Sequence, residues 1–186
     1  LGITLELLIG SLTLGLIMAM LLTAGALTNY KWITIPIHIW ISFIRGTPLL
    51  IQIFLLYYGV SQIHWIVTSP LWPILKSPFN CALIALAINT SAYTQVLIVG
   101  AIKNTPKGLM HAALSLGLSP IQAYQKVIIP YALNIIWPAY SNEVIMMLKN
   151  TTLASTITVL GVMGQAQMIM SSTYDMMTWL GIAGII

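Results

Sequence analysis

An uncharged, mostly apolar stretch runs from Leu7 to Thr28 between Glu6 and Lys31. About 20 such residues cross a hydrocarbon layer as a helix, so 7–28 is the first expected span. Within it Gly15 and Ala19 stand four apart, a spacing that suits close packing on another helix. A second apolar region, Trp32–Val60, is interrupted only by Arg45. The pattern reads as an interfacial elbow over 33–42 and a span over 43–60, with Arg45 snorkelling to the headgroup level. Trp65, Pro70, Trp72, Pro73 and Pro78 mark an interfacial loop. Spans are then expected over 79–102, 127–148 and, from Met176, 176–186. Both ends are expected to be truncated, since there is no initiator Met and the last apolar run is cut.

The polar stretch between the third and fourth spans has its own pattern. Thr105-Pro106 predicts an N-cap with proline at the first helical position. Leu109, Ala112, Ala113 and Leu116 recur at i, i+3, i+4 and i+7, one apolar stripe. Gly117 follows where a left-handed C-terminal cap belongs. Ser119-Pro120-Ile121-Gln122 has the form of a capping box. The prediction is helix, glycine turn, helix, outside the bilayer. So short a helix is marginal in water unless its stripe packs on something. Membrane surface, the chain's own loops and a partner's groove all satisfy that need.

Charge narrows the class. Only ten of 186 residues are charged, seven Lys/Arg and three Asp/Glu, and 59% are hydrophobic; mean hydropathy is +0.95. A soluble domain carries roughly a quarter charged residues. This chain cannot keep a water-facing surface solvated, so the fold class is an all-α membrane protein with about five spans. The lysines are scattered, which gives no case for nucleic-acid binding. Cys81 is alone, so no internal disulfide forms, and it reads as a small buried residue. Lys31, Arg45, Lys103, Lys107 and Lys126 fall on one side of the expected topology, Lys76 and Lys149 on the other. Five against two makes the first side cytoplasmic and places the N-terminus outside.

Polar residues at bilayer depth supply the candidate chemistry. The middle of the third span reads Asn89-Thr90-Ser91-Ala92-Tyr93-Thr94-Gln95. Such groups face protein or a watery cavity, not lipid. Pairs four apart, Asn89/Tyr93, Thr90/Thr94 and Ser91/Gln95, occupy adjacent helix faces. Interhelical hydrogen bonding accounts for such residues in many bundles; a solute pathway is the other reading, for Asn89, Ser91, Tyr93 and Gln95 above all. In the fourth span, kinked by Pro130 and Pro138, Glu143 is an intramembrane carboxylate and a functional candidate. Three roles are open to it: ligand contact, neutralisation by Lys149, or burial in protonated form. A guanidinium would pair with it through two parallel hydrogen bonds. A solute carboxylate would suit a broken helix end or Lys149. Asn150, and Asp175 near the outer entrance, complete the set; a solvated loop position also explains Asp175.

Catalysis finds no support. There is no G-x-x-x-x-G-K-[ST] phosphate loop, so ATP is not hydrolysed by this chain, and no H-E-x-x-H. His38, His64 and His111 show no metal-ligand spacing. No G-x-S-x-G elbow occurs. No catalytic residues, metal or bound cofactor are expected.

Several blocks resemble one family. Arg45-Gly46-Thr47-Pro48-Leu49-Leu50 with Tyr57-Tyr58-Gly59, His111-Ala112-Ala113 with Leu116-Gly117-Leu118-Ser119-Pro120 and Ile129-Pro130, and Ser141-Asn142-Glu143-Val144 with Lys149–Ser155 look like polar amino-acid ABC importer permeases. They occur in family order and cover nearly the whole chain. Asn89–Thr94, Thr156–Thr158, Val162–Gly164 and Thr173–Asp175 look most like the bacterial arginine-transport permease subunits. The resemblance implies a single type I ABC importer transmembrane domain over 1–186, in the bacterial inner membrane. It implies that 106–126 forms coupling helices seated in a cytoplasmic ATPase through Leu109, Ala112, Ala113, Leu116 and Gly117. An ATPase dimer that supplies ATP and Mg, a second permease (identical or sister) and an extracytoplasmic solute-binding protein would complete the assembly. His111 stands where the family usually has Glu, and Asn150 where it frequently has Asp. Arginine is the expected solute, with lysine, ornithine, histidine and glutamine as alternatives. An ion-coupled secondary transporter is a rival, though no internal repeat supports it; a non-transporting assembly subunit is another.

Overall fold

The computed structural model describes residues 1–185, all helix and connecting turns. The first helix, α1 (Gly2–Ala26), runs along α6 (Pro78–Lys103) over much of its length. The sequence reason is a row of residues at four-residue spacing: Leu7, Ser11, Gly15, Ala19 and Thr23 are all buried. Small side chains in that row let two backbones approach. The approach is closest at Gly15, where an added Cβ would lie 2.2 Å from Thr90 Cγ2 and 3.0 Å from the Ala87 carbonyl oxygen.

Next come α2 (Lys31–Gly46) and α3 (Leu49–Phe54), the latter prolonged by a wider turn and a tighter one to Gln62. The two directions differ by 103°. The cause is local: Thr47 precedes Pro48, which disfavours the helical region for Thr47, and Thr47 is extended at φ −106°, ψ 139°. The elbow expected over 33–42 is therefore helix, and the bend falls at 47–48, inside the expected span 43–60. Arg45 moves with it. Ile44 packs with Ala92, Ile88 and Val96 near the middle of α6, so Arg45 stands at mid-helix depth and not at the headgroup level.

Short turns α4 (His64–Val67) and α5 (Trp72–Leu75) lead into α6, capped by the Ser77 side chain. Beyond α6 lie α7 (Lys107–Ser115) and α8 (Pro120–Ala123). Gly117, at φ +82°, closes α7 in a Schellman turn: Leu118 N–H donates to the Ala113 carbonyl at 3.2 Å and Gly117 N–H to that of Leu114 at 3.0 Å. Both halves of the capping box at Ser119 and Gln122 are formed. Thr105 is not the cap of α7, since Pro106 takes that position and Thr105 Oγ1 donates back to the Ala101 carbonyl.

A π-turn at Tyr124–Ile128 feeds α9 (Ile129–Asn150), which stays continuous through Pro138. A 3₁₀ segment, Thr151–Ile157, ends at Thr158 with φ 68°. Two helices follow, α10 (Val162–Thr173) and α11 (Met176–Ile185); α10 was not anticipated. Thr4 of α1 receives the Val162 N–H at 3.2 Å, tying α1 to the start of α10. Among the described residues α1 and α6 are long and apolar enough to cross a membrane, and four spans result if each bent pair counts as one. The expected fifth span is a ten-residue helix up to Ile185, and Ile186 lies outside the described residues.

Candidate functional site: a charged groove at the helix break

The break between α2 and α3 opens a groove of about 620 Å³ against α6 and α9. Arg45, Gly46, Thr47, Pro48 and Leu49 form one wall, Asn89 and Tyr93 the second, and Asn142, Glu143, Met146 and Asn150 the third. One cation and one carboxylate thus line a cavity at mid-helix depth, with amide groups between them. Such charges are costly in hydrocarbon and persist where a cavity or a partner compensates them.

Each wall has a local reason. A broken helix leaves carbonyls without intrahelical partners. Gln52, buried on α3, answers them: the two N–H bonds of its Nε2 are shared among the Ile44 carbonyl at 2.8 Å, the Thr47 carbonyl at 3.1 Å and Thr47 Oγ1 at 2.8 Å. Its Oε1 accepts from Asn89 Nδ2 at 3.3 Å. One amide therefore ties the break to α6. The Arg45 guanidinium lies over the Tyr93 ring, 5.2 Å from its centre, a cation–π contact. Glu143 accepts from Thr90 Oγ1 at 2.9 Å, which joins α9 to α6. Glu143 therefore has Thr90 as its hydrogen-bond partner where Lys149 was one candidate.

The expected site residues separate by helix face. Asn89, Tyr93, Glu143 and Asn150 come together in the groove. Ser91 is fully buried and donates to the Ile88 carbonyl of its own helix. Gln95 is buried as well, and its Nε2 finds no partner among the described residues. Neither Ser91 nor Gln95 lines the groove, and neither does Lys149, which is exposed. Asp175 is exposed and caps α11, accepting from the Thr178 N–H. Arg45, Thr47 and Asn142, noticed only as parts of the family blocks, were missed as groove residues, and Gln52 was missed altogether. A lone glutamine inside Leu49–Leu56 was the available signal for Gln52.

The helical hairpin presents a second surface. Ala113 is buried and Leu109 half-buried, whereas Ala112, Leu116 and Ile121 are exposed. The stripe therefore splits between an inner anchor and an apolar outer face.

The profile of the family described as binding-protein-dependent transport system inner membrane component matches residues 11–186. The chain belongs to that family. It is 44% identical over 174 residues to the arginine ABC transporter permease protein ArtM of Haemophilus influenzae, covering 94% of this chain and 76% of the relative. It is 40% identical to the histidine/lysine/arginine/ornithine transport system permease protein HisM of Escherichia coli, covering 100% of this chain and 78% of the relative. A crystal structure of an amino acid ABC transporter with histidines is similar at TM-score 0.88 and 34% identity, over 100% of this chain and 82% of that one. This permease is thus a multi-pass inner-membrane component of a transport system, and it shares the all-helical fold of ABC permeases.

Proposed function

We propose that this permease carries a cationic amino acid, arginine first, through the groove at the α2–α3 break. The observation behind the reading is that Glu143 and Arg45 line one cavity at mid-helix depth. A carboxylate suits a guanidinium or ammonium side chain, through paired charge-assisted hydrogen bonds in the arginine case. Arg45 and the start of α3, which has no side-chain cap, suit the solute's α-carboxylate. Asn89, Asn142 and Asn150 supply neutral donors and acceptors between the two charges. The relatives named for arginine and for histidine/lysine/arginine/ornithine support this choice.

In this reading the exposed face of Ala112, Leu116 and Ile121 seats in a cytoplasmic ATPase, which binds ATP and Mg. The N-terminus lies outside. A second permease completes the pathway wall, and a solute-binding protein delivers the amino acid. ATP binding closes the ATPase pair, the α7–α8 hairpin moves with it as a lever, and the rigid connection through α9 re-aims the groove. This chain performs no covalent chemistry.

The test is uptake of labelled arginine into proteoliposomes holding the permease, its ATPase and its binding protein. Uptake is expected to require ATP and to survive collapse of ion gradients. Transport driven by an ion gradient without the ATPase overturns the reading.

A further inference from the structure

A second cavity, of about 290 Å³, lies at the end of the bundle next to the hairpin. Leu27, Ile102 and Ile128 give it an apolar side, while Lys103, Lys107, His111 and Tyr124 give it a polar one. Its level is set by the fold. Leu27 follows the last residue of α1, Ile102 is in the last turn of α6, and Ile128 immediately precedes α9. These are the hairpin-side ends of α1 and α6, the two helices long and apolar enough to cross a membrane, and the start of α9. Apolar wall and cationic wall therefore meet at the boundary of the hydrocarbon layer.

The cations there are uncompensated. The chain holds only three acids, Glu6, Glu143 and Asp175. Glu6 lies near the opposite end of α1, about 30 Å from Ala26 at the helical rise. Glu143 stands in the groove bonded to Thr90, and Asp175 caps α11. Two lysines whose charge no carboxylate among the described residues offsets, beside a histidine and a phenol, form a site for phosphate oxygens. Leu116 and Ile121, the exposed apolar positions of the hairpin, are not part of its lining, so this site is separate from the outer face of that hairpin.

We propose that this pocket binds the phosphodiester headgroup of an anionic glycerophospholipid, with Lys103 and Lys107 as its charge partners. His111 and Tyr124 add N–H and O–H donors, and the acyl chains continue along Leu27, Ile102 and Ile128. A free phosphate would use the same four polar side chains but none of the apolar wall. A lipid uses both. Basic pockets at the ends of spanning helices recognise anionic lipids in this way, each nearby Lys strengthening binding about fivefold.

The experiment uses the permease purified in the assembly in which the cell holds it. Equimolar palmitoyl-oleoyl phosphatidylglycerol and phosphatidylcholine are offered, and retained lipid is read by native mass spectrometry. Wild type is expected to retain phosphatidylglycerol selectively. Lys103→Gln and Lys107→Gln should each lower that retention about fivefold. Lys126→Gln, with the same charge change outside the pocket, should not. An equal loss in Lys126→Gln reduces the effect to general surface charge and overturns the proposal, as does equal retention of phosphatidylcholine. Where a variant does not assemble, amine-reactive labelling of wild type in nanodiscs decides. Phosphatidylglycerol should shield Lys103 and Lys107 but not Lys126. Shielding by inorganic phosphate alone, without any by phosphatidylglycerol, identifies a free-anion site and refutes the lipid.

Discussion

Thr90 donates its hydroxyl to Glu143 at 2.9 Å while its methyl faces the backbone of α1 at Gly15. One small side chain therefore holds three helices in register around the single carboxylate of the groove. Replacing Glu143 with Gln keeps an acceptor for Thr90 and removes only the charge. The expected outcome is a folded, assembled permease whose arginine uptake falls at least tenfold, while a neutral amino acid loses far less. Competition uptake in proteoliposomes measures this. Unchanged arginine uptake in Glu143→Gln removes the carboxylate from the solute path.

The contact at Gly15 has its own consequence. Gly15→Ala places a Cβ 2.2 Å from Thr90 Cγ2, so α1 must move or Thr90 must rotate away from Glu143. Overpacking of this kind costs about 1–3 kcal/mol. Thr90→Ser removes that methyl and keeps the hydroxyl, so the double variant should recover part of the stability and uptake that Gly15→Ala alone loses; the 3.0 Å approach to the Ala87 carbonyl oxygen remains. Thermal unfolding in detergent of both single variants and the double variant gives the coupling directly.

Gln52 is the third test. Its amide serves carbonyls that the break at Thr47–Pro48 releases, and it accepts from Asn89. Gln52→Leu fills similar space but takes this partner from the Thr47 carbonyl and Asn89 Nδ2 in a buried place, while the Ile44 carbonyl keeps Thr47 Oγ1. A loss of about 2 kcal/mol is expected, near the upper range for such bonds in membranes. Arginine uptake should fall with it, because the wall that carries Arg45 loses its hydrogen bond to α6 and keeps only the Ile44 packing and the Arg45–Tyr93 contact. Stability and affinity measured together separate this from a mere packing defect: Gln52→Glu retains an acceptor for Asn89 but not the donations, so it should restore neither.

How much of this could be read in the chain depends on whether the signal was local. The Schellman turn at Gly117 and the capping box at Ser119 are written in adjacent residues, and both formed. The small-residue row on α1 is equally local, and its partner helix was not needed to see it. Thr105 misled because a Thr before Pro invites a cap, yet its hydroxyl found the Ala101 carbonyl on the preceding turn. Thr47-Pro48 did carry the bend, but the apolar run around it concealed where one segment ended. In the groove, Asn89 and Tyr93 share a face by their spacing, as do Ser91 and Gln95. Spacing distinguishes the two faces without saying which one meets the α2–α3 break. That choice rests on tertiary packing, and it separated true lining residues from buried bystanders. Arg45 was misplaced for the same reason: its depth follows from Ile44 packing on Ala92, a contact between distant segments.

The hairpin supplies the last test. Gly117 has φ +82°, a conformation that a Cβ makes costly by about 1–2 kcal/mol. Gly117→Val should loosen the turn between α7 and α8 while leaving the groove, which shares no residue with it, intact. Leu116→Asp instead leaves the turn alone and charges an exposed apolar position. If the outer face is the seat of an ATPase, Leu116→Asp should abolish co-purification of that ATPase. Gly117→Val should retain part of the co-purification yet lose ATP-driven uptake, because a slack hairpin transmits little motion to α9. Normal uptake in both variants would separate the hairpin from transport altogether. Loss of binding in the first with loss of only the transmitted motion in the second distinguishes a docking contact from a lever.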